Sequence, residues 1–408
     1  MSFFSFLKNE KEEVSLLLSV SNGSISCSIV CLPTEGFPKF LYSFKKDFIS
    51  TEKITSSILL DSTEKIIDTM LCDVVKACKT IPELKKIGAF SRVIITFSSP
   101  WYNIVSKNIV IEEKVPFLVT ADFINKIIKK EENLFQTDLL KNAAFIDEEY
   151  VIAEKSIVSS KVNGYLLDKT LGKKTMNFEG NLFMSAIPFV VEDKVANLIL
   201  RHTHIPKPQI FIHSFPLVYF SIVRDNFAKT SDYLLTNITG EATDITLVED
   251  NNIKNTVSIP LGSNSITKLI AAKFNISYEI ADSTLQLYLS GKKSKTDEIE
   301  IENILAMIEA EWAVYLEDSL QILSPDMSLP NNSFLISDSK LENTFLSFFK
   351  IPKTDNTSKF RNNLTVTILN SGVLSKYFDN NSKINLDTFT AMSALFYTKM
   401  KRGEQSIN

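Results

Sequence analysis

Asn237-Ile-Thr-Gly-Glu-Ala-Thr-Asp-Ile245 decides how this chain is read, together with Leu18-Ser-Val-Ser-Asn-Gly-Ser-Ile25 about 220 residues before it. In each, an apolar run enters a turn of small residues and leaves as a second apolar run. Leu16 to Val20 passes through Ser21-Asn22-Gly23-Ser24 into Ile25 to Leu32. Tyr233 to Asn237 passes through Thr239-Gly240-Glu241-Ala242 into Thr243 to Val248. An Asn-Gly pair between two such runs is the turn chemistry of a tight hairpin. Successive backbone N–H groups in a turn of small residues also converge into an anion-binding concavity. Either hairpin alone is most simply structural, its glycine kept for backbone geometry. Two of them, each opening an α/β half, point to a duplicated architecture.

Working outward from the first hairpin, Phe40 to Phe44 is a third extended run. Thr63 to Lys79 carries Ile67, Leu71, Val74 and Cys78 at helical spacing, and Arg92 to Phe97 is a β-branched strand. From 91 to about 185 the texture changes. A strand over Lys107 to Glu112 precedes Thr120, which can cap a helix through Phe123, Ile124, Ile127 and Ile128 to Phe135. Strands at Tyr150 to Val158 and Thr175 to Leu182 flank another Asn-Gly turn, Asn163-Gly164. This segment reads as a small α+β insert.

The α/β texture then resumes with a helix around Val195 to Ile199, a strand over Gln209 to His213 and a helix over Pro216 to Val223. Beyond the second hairpin, Val257 to Pro260 is a strand and Pro260-Leu-Gly-Ser-Asn-Ser265 leads straight into a helix. A helix N-terminus with small residues suits an anion. Helices are expected at Ser265 to Phe274, Tyr278 to Leu289 and Ile299 to Leu323, late strands at Phe334 to Ile336 and Leu364 to Leu369, and a closing helix over Leu386 to Lys399.

Composition narrows the function. Of 408 residues 44% are apolar and 23% charged, a globular balance that excludes a largely disordered chain. Lys+Arg 44 against Asp+Glu 48 gives a net charge of -4, without the basic footprint that a nucleic-acid backbone requires. No nucleic-acid partner is expected. The length fits two or three domains. Cys27, Cys31, Cys72 and Cys78 match no zinc or redox spacing and read as buried free thiols of a reducing compartment. No window reaches the roughly 18 apolar residues of a membrane span.

The motifs resemble those of the actin-like ATPases, specifically the FtsA/PilM branch. Leu18 to Ile25 is similar to the first phosphate loop, D-I-G-S-G-S-I, and Asn237 to Ile245 to the second, D-I-G-G-E-T-T-D-I. Ile259-Pro-Leu-Gly-Ser-Asn-Ser-Ile-Thr267 is similar to I-P-x-G-G-N-x-I-T. Ile280-Ala-Asp282 falls where an A-E helix follows, and Phe334-Leu-Ile-Ser-Asp-Ser339 where a glycine-rich adenosine loop belongs. The insert sits where this branch places its extra SHS2-type subdomain. The resemblance implies a duplicated, ribonuclease H-like two-lobed α/β fold. It places the first lobe at 1–90, 186–229 and 385–408, the insert at 91–185, the second lobe at 230–262 and 325–384, and a helical subdomain at 263–324.

The same resemblance implies a nucleotide site of degenerate form at Ser21, Asn22, Gly23, Ser24, Gly240, Glu241, Thr243, Gly262, Ser263 and Asn264. In the family an Asp in each phosphate loop orients water around the nucleotide's magnesium; here Ser19 and Asn237 stand there. A hydroxyl and an amide are neutral, whereas magnesium favours charged oxygen. The Gly-Gly of the adenosine loop is Asp338-Ser339, and the Lys expected after the A-E pair is Leu285. Glu241 and Asp244 could replace the missing carboxylates, but as turn residues they are expected to bond local backbone N–H groups. No catalytic or metal-ligating residue is assigned. The cofactor implied is ATP with magnesium, or none if the degenerate site no longer binds it.

Other residues carry less. His202 and His204 end a helix, where imidazoles meet terminal carbonyls, and metal ligation would need a nearby Cys or third His. His213 reads as a satisfied core histidine, Trp101 and Tyr102 as half-buried strand-end aromatics, and Lys292, Lys293 and Lys295 as a solvated loop. Phe3, Phe4, Phe6, Leu7 and Lys8 give only marginal membrane affinity. After the last core helix neither linker nor second amphipathic helix is expected, unlike FtsA-type proteins.

The resemblance therefore implies a cytoplasmic scaffold or adaptor, placed at the inner membrane face through its partners. Those partners would be a cytoplasmic peptide of an inner-membrane protein, in type IV pilus assembly, or a division protein; self-association is open. ATPase activity is expected to be lost or weak. The alternative is an active ATPase whose nucleotide state switches partner binding or polymerisation.

Overall fold

The computed structural model describes residues 13–49, 55–142, 149–167, 169–292, 295–325, 329–337, 340–349, 364–379, 384 and 386–403. The apolar N-terminal cluster at Phe3 to Lys8 and the Asp338-Ser339 pair lie outside these residues. In chain order, β1 (Glu13–Val20), β2 (Ser24–Leu32) and β3 (Lys39–Asp47) form an antiparallel meander, and α1 (Ser56–Thr80) crosses over to β4 (Arg92–Phe97), parallel to β1. Thr55 caps α1 by accepting a hydrogen bond from Ile58 N at 3.3 Å. Next come β5 (Asn103–Leu118), α2 (Ala121–Asn142), β6 (Tyr150–Val162), β7 (Tyr165–Leu166) and β8 (Lys174–Pro188). Thr120 caps α2 as its hydroxyl predicts, accepting from Phe123 N at 3.1 Å. The chain returns through α3 (Phe189–Thr203), β9 (Ile210–Ser214) and α4 (Phe215–Asn226).

The second half repeats the plan. A meander of β10 (Tyr233–Ile238), β11 (Thr243–Glu249) and β12 (Asn252–Ile259) is followed by α5 (Ser263–Phe274), α6 (Tyr278–Leu289) and α7 (Lys295–Leu323). Then come β13 (Asn332–Ile336), α8 (Glu342–Phe348), β14 (Thr365–Ile368), the single turn α9 (Ser371–Leu374) and α10 (Thr388–Lys401). The two five-stranded sheets run β3-β2-β1-β4-β9 and β12-β11-β10-β13-β14, one topology used twice. In each, the first three strands are antiparallel and the last two run parallel to the first. The short helix α8 has no counterpart in the sequence expectation; its seven residues are too few for helical periodicity to register.

Strand alternation sorts each sheet's side chains between two cores. From β1, Leu16, Leu18 and Val20 face the core under α1 and α3, while Leu17 faces a central core shared with α4 and α10. From β10, Leu234 and Ile238 face the core under α5, α7 and α8, while Tyr233 and Leu235 face the same central core. The α4/α10 pair is thus the apolar layer between the two lobes. Ile266, Ile308, Trp312 and Leu316 fill the outer core of the second lobe, all essentially buried.

The third sheet, β5-β8-β6-β7, is antiparallel throughout and carries α2 on one face. It begins at Asn103. Arg92–Phe97, included in the expected insert, belongs instead to the first sheet, because its backbone pairs with β1 on one side and β9 on the other. A buried polar hub ties the insert to that sheet: Glu154 of β6 accepts from Ser214 N at 3.0 Å and Ser185 Oγ at 2.6 Å, and meets His213 Nδ1 at 2.9 Å. His213 is in the core as expected, but only half satisfied, since its Nε2 has no partner among the described residues. Trp101, expected half-buried, is fully buried. Cys27 and Cys31 are buried free thiols; Cys72 and Cys78 are only half-buried, against expectation, because they lie at the margin of the α1 face. Lys292 is exposed, in line with a solvated loop; Lys293 lies outside the described residues.

Candidate functional site

The two glycine-bearing turns meet where the lobes face each other. The first turn closes on itself: Ser21 N donates to Ser24 O at 3.0 Å, and the Ser21 hydroxyl accepts from Ser24 N at 3.2 Å and more weakly from Gly23 N. The second closes likewise, Thr239 N donating to Ala242 O at 2.9 Å. Gly23 and Gly240 are packed backbone to backbone. A methyl group built on either would fall onto the Cα atom of the other, and one on Gly240 would also lie 2.8 Å from Asn264 Nδ2. Only residues without a Cβ allow this approach.

A set of polar contacts fastens the two turns. Asn22, buried, reaches across the lobes to accept a hydrogen bond from Glu241 N at 3.0 Å. Asn264 Nδ2 donates to Glu241 Oε1 at 2.9 Å and to Phe48 O, in the first lobe, at 3.2 Å. Lys268 pairs with Glu241 Oε2 at 2.7 Å. Lys268 is four residues beyond Asn264 on α5, so helical spacing alone could have indicated it.

The start of α5, expected to suit an anion, has its first three N–H groups bonded within the chain. Gly262 is its N-cap; Ser263 N donates to Thr239 O at 2.9 Å, Asn264 N to Gly240 O at 2.8 Å and Ser265 N to Gly262 O at 3.2 Å. A helix N-terminus binds anions through free N–H groups, and these three are bonded within the chain. Thr243 Oγ1 donates to Leu261 O at 2.8 Å and supports the turn from behind.

Glu241 and Asp244 do not bond local backbone N–H groups as turn chemistry predicts; both take side-chain partners. Asp244 accepts from Ser258 Oγ at 2.6 Å and from Tyr102 Oη at 2.9 Å. Burial pushes its carboxyl above the ordinary value, opposed by the hydrogen bonds from Ser258, Tyr102, Ser99 and Asn237. Burial also raises the Tyr102 phenol well above its usual range, and the neighbouring carboxylate adds to this. The metal-orienting positions of the resemblance, Ser19 and Asn237, are buried, and Asn237 Oδ1 has no hydrogen-bond partner among the described residues.

Beside the turns a cleft of about 590 Å³ remains. Ser21, Gly23, Ser24, Gly240, Ser263 and Asn264 line it, whereas Asn22, Glu241, Thr243 and Gly262 do not. The α6 end is formed by Tyr278, Glu279, Asp282 and Gln286 of that helix with Lys340, and Leu285 lies buried along it. Lys45, Asp47 and Phe48, none of them indicated by the sequence, complete the first-lobe side. The volume lies within the range of small-ligand clefts. As arranged, the turn end does not fit nucleotide phosphates with magnesium: its backbones touch, the N–H groups of Ser24, Glu241 and the first three residues of α5 are bonded within the chain, and Lys268 already pairs with Glu241.

Two lobes of one topology, turns meeting beside a cleft, and an insert after the fourth strand define the two-lobed actin-like ATPase fold. No protein-family model matches the sequence, and no curated protein does. The structure is similar to a chain of the PilM-PilN type IV pilus biogenesis complex, with a TM-score of 0.60 at 12% identity over 95% of this chain and 98% of that one. It also aligns with the ethanolamine utilization protein EutJ from Carboxydothermus hydrogenoformans, with a TM-score of 0.45 at 11% identity over 93% and 89% of the chains. A Bacteroides thetaiotaomicron protein of unknown function with an actin-like ATPase fold gives a TM-score of 0.42 at 12% identity over 95% and 96%. At such identities the likeness is one of fold.

Proposed function

We propose that this chain is a cytoplasmic scaffold of actin-like fold that works with its lobes held together and has lost ATP hydrolysis. Its role is to hold a short cytoplasmic peptide of a membrane protein, in a pilus-type assembly or, as the second context, in cell division. The observation that carries the first part is the backbone contact of Gly23 with Gly240, sealed by the Asn22–Glu241 and Asn264–Phe48 bonds between the lobes. A magnesium-bound triphosphate would have to part those backbones and break both bonds. The peptide partner is supported by likeness to the PilM-PilN chain in fold. It is supported too by an edge strand of the insert, β5, which borders a groove lined by Lys107, Ile109, Ile111, Ile127, Lys130 and Glu131. An extended peptide can add to such an edge through main-chain hydrogen bonds. Association with the membrane would then run through that partner; among the described residues no helix is long and apolar enough to cross one.

Titration calorimetry with Mg·ATP tests the first part: no heat is expected. Micromolar binding with phosphate release would overturn it and favour the second reading, an ATP-switched protein. That reading draws on the open α6 end of the cleft and the unpaired Asn237 Oδ1. Capture by cytoplasmic peptides of pilus membrane proteins, against the tail peptide of the division tubulin, separates the two contexts. Binding unaffected by Ile109→Glu would rule out the β5 edge.

A further inference from the structure

Away from the cleft, Asp68 and Cys72 stand four residues apart on α1, one above the other on the same face. His202, in the last turn of α3, lies against both. Its Nε2 is 2.6 Å from Asp68 Oδ1 and its Nδ1 is 3.9 Å from Cys72 Sγ. The ligand atoms of the three lie within 4.8 Å of one another, and no other group of three such donors occurs among the described residues. This corrects the sequence expectation, which gave His202 no neighbouring Cys: α1 brings one from 130 residues earlier.

We propose that Asp68, Cys72 and His202 form a binding site for a divalent transition-metal ion of the zinc class. One thiolate, one imidazole and one carboxylate are a donor set such ions select, whereas magnesium and calcium take oxygen ligands. Three protein donors leave the fourth position to water. Zinc–sulfur and zinc–nitrogen bonds of about 2.3 and 2.0 Å place sulfur and nitrogen roughly 3.5 Å apart in a tetrahedral site, close to the 3.9 Å observed. The imidazole turns one nitrogen to each neighbour and an ion takes only one. Loading therefore rotates the ring or the carboxylate, which their part-exposed position permits: the side chains of His202 and Asp68 are 16% and 42% exposed. The guanidinium of Arg201 also pairs with the Asp68 carboxylate. Arg201, itself 61% exposed, can move aside. The other thiols are poorer donors: Cys27 and Cys31 are buried, and burial pushes the Cys27 and Cys78 thiols up. A bound ion would join α1 to α3, both on the outer face of the first sheet.

The test is a cobalt(II) titration of the chelator-stripped full chain, followed by zinc displacement against a chromophoric chelator. One equivalent should give a thiolate-to-cobalt absorption band that zinc abolishes. Cys72→Ser should lose the band, His202→Ala and Asp68→Asn should each weaken zinc binding more than about tenfold, and Cys78→Ser should bind as the parent does. Circular dichroism confirms that each variant is folded. A folded parent that binds no cobalt or zinc overturns the proposal, and so does binding that survives in the Cys72→Ser, His202→Ala double variant. If no metal binds but Cys72 is alkylated faster than Cys78 in a His202-dependent way, the cluster is a thiol–imidazole relay and the metal site is disproved.

Discussion

The two ends of the cleft start from the same fold and leave different space for a ligand. At the turn end, backbone touches backbone, and the N–H groups of Ser263, Asn264, Ser265, Glu241 and Ser24 are bonded to Thr239 O, Gly240 O, Gly262 O, Asn22 and Ser21. At the α6 end, Tyr278, Glu279, Asp282, Gln286 and Lys340 border open space. The difference shows that hairpin shape and ligand chemistry are separable. A hairpin keeps its glycine because the turn and the close approach require it, whatever happened to the acidic positions around it.

The largest effect should come from forcing the turns apart. Gly240→Val places bulk against the Gly23 Cα, and overpacking of this kind costs about 1–3 kcal/mol, read as a lower midpoint in urea unfolding. Gly88→Ala, at a site with open space around it, should shift the midpoint by less than about 0.5 kcal/mol. Equal effects from the two would mean that the turns do not touch.

Next is the polar fastening. Glu241→Ala leaves Lys268 and Asn264 Nδ2 without their shared acceptor and should cost about 1–2 kcal/mol. Lys268→Met, which frees the carboxylate while keeping most of the stem, should cost less. If both are silent in the same denaturation assay, the contacts between the turns carry no stability.

The smallest effect is one of pH. Burial raises the folded-state value of Asp244 above its ordinary 3.8, so the folded chain holds that proton more tightly than the unfolded chain. The stability it confers is complete below the ordinary value and is lost as pH rises through the raised one. Asp244→Asn removes that slope. Unfolding free energies compared from acid to neutral pH should move in the variant's favour as pH rises. A constant difference, or one moving the other way, would mean that the carboxyl is not desolvated as its burial implies.

How much of this was legible in the sequence follows from the range of each interaction. Arg92–Phe97 and Tyr278–Leu289 end where the residue pattern places them, and both hairpins form, because periodicity and turn chemistry are local. The duplication was legible because the turns recur in order along the chain, and the two-lobed fold through the family resemblance those turns carry. The long span of β5 was not: Asn103–Leu118 is mostly exposed or half-buried, so its length shows only in its pairing with β8. Within the site, the two turns and the start of α5 were legible, but neither their state nor the cleft residues Lys45, Asp47, Phe48 and Lys340 were. Whether Gly23 and Gly240 touch, or whether Glu241 finds Lys268, depends on how two halves of the chain settle against each other. Trp101, Glu154 and the Cys72–His202 pair escaped for the same reason.

One feature of the central layer bears on how the protein is made. α10 packs on β1, β2 and α4, and Ser393 Oγ meets Thr96 Oγ1 at 2.8 Å. The inner face of the first sheet is therefore finished by a helix whose Ser393 is translated 297 residues after Thr96. Leu17, Ile94 and Phe215 stay without their covering helix throughout synthesis of the second half. A nascent chain halted before Thr388 should hence be protease-sensitive and drawn to chaperones, even though every strand of its first sheet has already been translated.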